Sequence, residues 1–365
     1  MMKKLHVIIL MMMGAMCWHS LALANQGKYW IFFTDKGPAA STTSLSFVRI
    51  SDRAMLRRAK IAPAAGVDSY DLPLYQPYLR ELRSRQIMPI VQSRWLNAVS
   101  AYLDADQLAD LTALWFIKKI QPVRQFFIPP VRVSTIPPSK AYGNADDEAA
   151  YGPSLAQNAL MKVPEVHRLG LTGWGVIVGM LDTGFNYKEH IALAHLDVLN
   201  EYDFIFDDEV TRNEVEDVSS QHNHGTETLS VLAGYDYGNL IGPAYDASFL
   251  LAKTENVASE TSVEEDYWVA GIEWMEAQGV DVVSSSVGYN DWYEYSDMDG
   301  DTPVTTRAAD IAARKGVVVV NSMGNEGARS WRYMIAPADG DSVISAGAVT
   351  PDGTLASFSS VGPTY

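Results

Sequence analysis

The sequence predicts an α/β fold, a doubly wound and mostly parallel sheet, preceded by a small α+β domain. Three observations carry this. From Tyr151 onward, apolar runs alternate with stretches of helical spacing. The first of those runs, Val176 to Leu181, is apolar without a break, as strands buried on both faces are. Ahead of it, residues 128–150 form a break: Pro129-Pro130, Pro137-Pro138, Gly143 and the acidic Asp146, Asp147 and Glu148 read as an exposed linker.

The amino terminus is a separate matter. Two lysines, an apolar run from Leu5 to Trp18 and then Ala22-Leu23-Ala24 have the layout of a secretory signal peptide, so residues 1–24 are expected to be removed after Ala24. The single cysteine, Cys17, lies inside that segment. The mature chain is then without thiols, and its stability must come from a core or from bound ions rather than cross-links. No later apolar stretch is long enough to span a bilayer. The net charge of −16 over 365 residues disfavours nucleic acid as a partner. A composition 47% hydrophobic and 20% charged is that of a globular chain with two or three domains.

Residues 25–127 read as one α+β unit. Tyr29 to Phe33 is a strand, Ser51 to Ile61 a basic helix with Arg53, Arg57 and Arg58, and Ile87 to Gln92 a second strand. Trp95 to Tyr102 is a further apolar run, and Asp106 to Ala113 a short helix capped by Asp104 or Asp106. In residues 151–365, strands are expected at Val176–Leu181, Phe249–Ala252, Val280–Ser284, Gly316–Val320 and Val343–Ala348. Helices are expected at His224–Ala233, at Thr261–Gln278 with Ser259 or Thr261 as cap and Gly279 as stop, and at Thr302–Arg314.

In such sheets functional groups gather at the carboxyl ends of the strands. Asp182 ends the first strand, His224 begins a helix after a polar loop, and Asn325 follows the fourth strand. An Asp can orient an imidazole, a His can take a proton from a hydroxyl, and an amide can donate to a developing oxyanion. Singly, each has a plainer meaning: a helix cap, a structural histidine, a two-glycine turn.

Taken together the segments say more. Gly175-Val176-Ile177-Val178-Gly179-Met180-Leu181-Asp182-Thr183-Gly184 is followed by His224-Gly225-Thr226, then Ser284-Ser285-Ser286-Val287-Gly288. Gly324-Asn325-Glu326-Gly327 and Phe358-Ser359-Ser360-Val361-Gly362-Pro363 complete the series. This order resembles the subtilisin-like serine proteases (subtilases, peptidase S8) over residues 151–365. The resemblance implies that Asp182 and His224 are the triad aspartate and histidine and Asn325 the oxyanion donor. It implies that Ser286, Val287 and Gly288 pair with substrate backbone, that Met323 and Gly324 line the opposite wall, and that substrates are extended polypeptides. The family's nucleophile sits in a Gly-Thr-Ser segment soon after Ser-Ser-x-Gly-Pro, and this sequence ends at Tyr365 just after that motif. Ser357, Ser359 and Ser360 precede the motif's Gly-Pro and are not substitutes. The chain is thus expected to lack the serine and to be inactive by itself, so its rival reading is a non-catalytic fragment or peptide-binding protein. Residues 25–127 resemble the family's inhibitory propeptides, which makes the chain's own propeptide an expected partner.

Two acidic groups suit Ca²⁺, an ion subtilases often bind: Asp203, Asp207, Asp208 and Glu209, and Asp297, Asp299 and Asp301 around Gly300. Both also read as solvated loops, and no cofactor is required for the chemistry. His222 and His224 have a metal-like spacing without an evident third ligand. A nucleotide-binding α/β protein is disfavoured, because Gly173 and Gly175 precede the strand instead of following it.

Overall fold

The computed structural model describes residues 26–38, 49–61, 66–123 and 145–365. The expected signal peptide and the two proline pairs of the linker lie outside the described residues. In chain order the elements are β1 (Gly27–Phe33), α1 (Asp52–Ile61), α2 (Gln76–Ser84), β2 (Gln92–Ser93), β3 (Ala98–Leu103), α3 (Ala105–Thr112) and β4 (Ile117–Val123). Three short helices follow, α4 (Ala145–Tyr151), α5 (Leu155–Leu160) and α6 (Val163–Arg168). Then come β5 (Ile177–Asp182), β6 (Asp197–Asp203), α7 (Asn223–Ala233), β7 (Tyr235–Asp236), β8 (Leu240–Ile241), β9 (Ser248–Lys253) and α8 (Val263–Gln278). The series ends with β10 (Val282–Ser285), α9 (Val304–Arg314), β11 (Val318–Ser322) and β12 (Val343–Ala346).

Contacts divide the chain into two units, one drawn from 1–44 and 72–125, the other from 45–71 and 126–365. In the smaller unit the strand order is β2-β3-β1-β4, with β1 antiparallel to both β3 and β4. Its core is Ile31, Phe33, Tyr78, Leu79, Leu82 and Val99 with their neighbours. Asp104 caps α3 by accepting from Gln107 N–H at 2.8 Å, while the Gln107 side chain accepts from Asp104 N–H at 3.1 Å. That reciprocal pair satisfies two otherwise orphaned donors. The strand expected over Ile87–Gln92 shrinks to Gln92–Ser93. Pro89 has no N–H to give, and the segment meets its neighbour by only two irregular backbone bonds, Ile90 N–H to Ser100 O and Ser100 N–H to Val91 O.

The larger unit holds a six-stranded sheet in the order β12-β11-β10-β5-β9-β6, with every pairing parallel. The doubly wound parallel architecture expected from the alternating pattern is therefore present. β5 lies inside the sheet and every one of its six residues is buried, which is why its sequence is apolar throughout. Val178, Met180, Phe185, Leu229, Phe249 and Leu251 share one core cluster on it. β6 was not anticipated. Its sequence, DVLNEYD, is polar because it is an edge strand with one neighbour and mostly solvent-facing side chains. α8 starts two residues later than expected, where the Glu264 carboxylate accepts from the N–H groups of Thr261 and Asn256. Gly279 ends it at φ 100°, a conformation that favours glycine. No helix among the described residues is long and apolar enough to cross a membrane.

Candidate active site

Parallel pairing brings the carboxyl ends of β5, β10 and β11 to one rim. In register, Leu181 lies beside Ser285 and Ser285 beside Asn321. Asp182 is the last residue of β5. Ser286, Val287 and Gly288 follow the end of β10, and Met323, Gly324 and Asn325 leave the end of β11. All eight residues singled out from the sequence thus lie at the same edge of the sheet.

Asp182 and His224 are in direct contact. His224 Nδ1 donates to Asp182 Oδ1 at 2.7 Å; the Asp182 side chain is 1% exposed and the imidazole 48% exposed. His224 is the second residue of α7, where the helix dipole opposes a positive imidazole. The buried carboxylate prevails. Its hydrogen bond raises the His224 pKa above 6.5, against the opposing effect of burial. Among the described residues, nothing bonds to the other ring nitrogen, Nε2, so it remains available to solvent.

Sequence reasoning passed over the residues that hold this pair. Asp182 Oδ1 also accepts from Thr183 N–H at 2.7 Å, and Asp182 Oδ2 from the Thr228 hydroxyl at 3.1 Å. Thr228 stands four residues after His224, on the same face of α7, and that spacing was the available signal. Gly225 N–H donates to Thr183 Oγ1 at 3.1 Å, and a Cβ on Gly225 would meet Gly184 O at 2.2 Å. The helix can approach the Asp-Thr-Gly turn this closely only without a side chain. Gly225→Ala is therefore expected to push α7 off the turn and break the 2.7 Å contact, with a fall in Tm of several degrees. A variant with unchanged Tm would contradict the packing.

Asn325 is exposed and has no hydrogen bond to Asp182 or His224. Asn321, four residues earlier, is buried and donates to Val287 O at 3.1 Å and Ser322 O at 3.0 Å, which ties the two rim segments together. Ser359 and Ser360 are buried structural groups. Ser359 Oγ accepts from Ala348 N–H and donates to Ser360 O, and Ser360 Oγ accepts from Glu326 N–H. Among the described residues no serine is hydrogen-bonded to His224. The imidazole of His222 accepts from Asn213 N–H at 2.9 Å, a loop contact.

Behind the rim lies a group of buried and half-buried carboxyls. Tyr289 donates to Glu255, and burial raises the pKa of Glu255 well above its ordinary value. Burial pushes Glu264 to about 8, and burial with the nearby Asp291 pushes Glu260 to about 7. Carboxyls held protonated in the fold but ionised in the unfolded chain stabilise fully below the unfolded value of 4.5. That stabilisation is lost as pH rises through about 7 and about 8. Tm is expected to fall between pH 5 and 8, each group costing about 1.4 kcal/mol per pH unit in its window. Thermal scans of Glu264→Gln and Glu260→Gln should flatten that slope; an unchanged slope would remove these groups as its cause.

The first acidic loop also carries a built-in cation. Asp203, Asp208 and Glu214 bring ligand oxygens within 4.8 Å of one another. Lys253, 0% exposed, places its ammonium 2.7 Å from Asp203 and 2.7 Å from Asp217. In the second loop, Asp299 accepts from Asp301 N–H, Thr302 N–H and the Thr302 hydroxyl, and Asp297 from Glu294 N–H, so both act as turn and cap groups.

Comparison with known proteins identifies the family and its domains. Residues 173–365 match the Subtilase family, peptidase S8, and residues 28–134 match the peptidase S8 propeptide domain described for Bacteroidota. Subtilisin DY of Bacillus licheniformis is 33% identical over 207 residues, covering 56% of this chain and 67% of its own. Subtilisin NAT of Bacillus subtilis subsp. natto is 31% identical over 230 residues, covering 62% of this chain and 55% of its own. The chain thus spans little more than half of some relatives. Among solved structures, fervidolysin of Fervidobacterium pennivorans shares the fold at a TM-score of 0.56 and 19% identity, over 88% of this chain and 43% of that one. The chain belongs to the subtilase family of serine proteases and carries that family's propeptide domain ahead of the protease domain.

Proposed function

We propose that this protein is an exported serine endopeptidase precursor that hydrolyses peptide bonds in extended polypeptides. The observation that carries the reading is the 2.7 Å contact from His224 to the buried Asp182, which leaves Nε2 free to take a proton. The nucleophile is a serine following residue 365. Its hydroxyl proton passes to His224 Nε2 as its oxygen attacks the substrate carbonyl. The same proton then goes to the leaving amine, and water repeats the sequence on the acyl-enzyme. Asp182 holds the imidazole tautomer and offsets its charge. Asn325, exposed and without a hydrogen-bond partner among the described residues, is available to donate to the oxyanion. Ser286, Val287 and Gly288 offer extended backbone to the substrate, and Met323 and Gly324 form the facing wall.

Residues 1–24 direct export, to the periplasm or beyond. Residues 25–127 act as chaperone and inhibitor and are removed by cleavage within 128–150. The charge of −16 makes nucleic acid an unsuitable partner. The reaction uses no cofactor. A divalent ion at Asp203 would sit against the Lys253 ammonium, so the residues fit calcium poorly. Millimolar Ca²⁺ or a chelator is expected to leave Tm unchanged, and a rise with Ca²⁺ would establish a site.

Among the described residues no serine is bonded to His224, which also favours a second reading, in which residues 1–365 alone form a non-catalytic peptide-binding protein. A fluorophosphonate probe on the exported gene product separates the two. The enzyme reading expects one labelled serine beyond residue 365, labelled only when His224 is intact, and a mature amino terminus within 128–150. No labelling would favour the second reading, and a mature chain starting at Asn25 would remove the propeptide role.

A further inference from the structure

The two rim segments read as substrate walls, 286–288 and 323–324, each end in a glycine, and a third segment is strapped to both. Ile335 N–H donates to Met323 O at 3.2 Å. Ala336 N–H donates to Tyr289 O at 3.0 Å, and Tyr289 N–H donates back to Ala336 O at 2.8 Å, an antiparallel bridge. Residues 335 and 336 are therefore tied by backbone to the β11 wall on one side and to the β10 wall on the other. Ala336 is 0% exposed and Ile335 9% exposed, so burial of apolar surface adds to the hydrogen bonds in fixing the isoleucine.

The Ile335 side chain reaches both glycines. A Cβ on Gly288 would lie 2.9 Å from Ile335 Cδ1 and 2.9 Å from Cγ1, and one on Gly324 would lie 2.9 Å and 3.0 Å from the same two atoms. Apolar carbons rest about 3.5–4.0 Å apart, so neither wall has room there for a methyl group. One branch of one isoleucine thus lies against both walls. Gly324 has a second reason to be glycine, its φ of 99°. Gly288 has no such backbone demand, and the close approach of Ile335 and of Ala336 O, 2.8 Å from the missing Cβ, accounts for it. The nearest atoms to the two missing Cβ positions are the Ile335 carbons, Ala336 O and Ser360 Oγ, and none of them is charged.

We propose that Ile335 closes the slot between Gly288 and Gly324 and so limits the substrate residue whose carbonyl is attacked to small, uncharged side chains, those of alanine and serine. The proposal rests on the reading of the two segments as substrate walls. A side chain that enters between them meets the isoleucine. A methyl or hydroxymethyl group fits above it, whereas the ring of phenylalanine or the stem of lysine needs the volume that Ile335 holds. Ile335 cannot withdraw to make room, because its backbone is bonded to one wall, its neighbour's to the other, and close-packed interiors yield only at a cost. A lysine or arginine side chain would also find no counter-charge among the atoms that close the slot. The substrates are then extended stretches of polypeptide with small residues at the cleaved bond.

The test uses the exported gene product and peptides identical except at that residue, which is alanine, serine, leucine, phenylalanine or lysine. For wild type, kcat/KM is expected to be roughly tenfold higher for alanine than for leucine, and on the order of hundred-fold higher than for phenylalanine or lysine. Ile335→Ala should raise the phenylalanine-to-alanine ratio of kcat/KM by about tenfold or more. Ile335→Val, which removes only Cδ1, should improve leucine before phenylalanine. The ratio is the readout because a merely loosened fold lowers both rates and leaves it in place. Wild type that cleaves the phenylalanine peptide as well as the alanine peptide would overturn the proposal, as would an Ile335→Ala ratio equal to that of wild type. If Ile335→Ala does not fold, Ile335→Val and the wild-type series decide. Fluorophosphonate labelling keeps the two readings apart: a labelled enzyme without size preference overturns this inference alone. A product that neither labels nor cleaves overturns the enzyme reading, and the slot is then judged by binding of peptides that end in alanine or phenylalanine as the free carboxylate. Tighter binding of the alanine peptide would uphold the closed slot, and equal or reversed affinities would overturn it.

Discussion

Replacing His224 with alanine in the enzyme that carries its serine is expected to lower kcat by about a million-fold, the size established for subtilisin itself. On the proposed reading, the physical reason is the loss of the one group among the described residues that is placed to move the proton. Nε2 of His224 faces solvent at the rim, Nδ1 is committed to Asp182 at 2.7 Å, and no second imidazole among the described residues touches that aspartate. Asp182→Asn should cost less, roughly ten-thousand-fold, because an amide can still touch Nδ1 but favours the wrong tautomer and offers no charge. Steady-state kinetics on an extended peptide checks both. The two variants should lose kcat with little change in KM, since neither residue is expected to bind the ground state. A loss confined to KM would mean that the pair positions substrate and does not move protons. The same variants should also stop cleavage of the linker if maturation is self-catalysed.

The second large effect is on stability. Lys253→Met is expected to destabilise the larger unit by about 3–5 kcal/mol. Lys253 is buried between Asp203 and Asp217, with the Phe206 ring 4.7 Å from its ammonium. Removing the ammonium leaves two carboxylates with no cation, in a place where burial already raises the Asp203 pKa. For a domain of this size the loss corresponds to a Tm lowered by roughly 10 °C. The effect should reach the active site, because the loop that Lys253 holds also presents Thr211 O, which accepts from Phe185 N–H beside the Asp-Thr-Gly turn. Adding Asp203→Asn and Asp217→Asn to Lys253→Met should recover part of the Tm, since it is the unpaired charges that cost most. Equal Tm for Lys253→Met and wild type would show that the ammonium is not needed.

What could be read from the sequence follows from how local each signal is. β5 and α9 were legible because a strand buried on both faces and a helix with one apolar stripe write their periods into a short window. The Asp182–His224 contact was legible only through motif order, since 42 residues separate the partners. β6 was invisible because its edge position makes its residues polar. The docking of α1 was invisible for a different reason. Arg57 and Arg58 look like a solvated basic face until Glu276 arrives from 219 and 218 residues away. Lys253 was equally silent, because nothing local distinguishes a buried lysine from a surface one. Thr228 was within reach, one helical turn from His224, had the second contact of the aspartate been sought.

The most direct test of the central claim is the titration of His224 followed by NMR in the full chain, which requires no serine and no substrate. The hydrogen bond from Asp182 raises the His224 pKa above 6.5, so wild type should titrate above that value. In Asp182→Asn the midpoint should fall, because burial and the helix amino terminus are then opposed only by the weaker pull of Glu227. A midpoint at 6.5 that is indifferent to the aspartate would show that the two residues do not act as a pair.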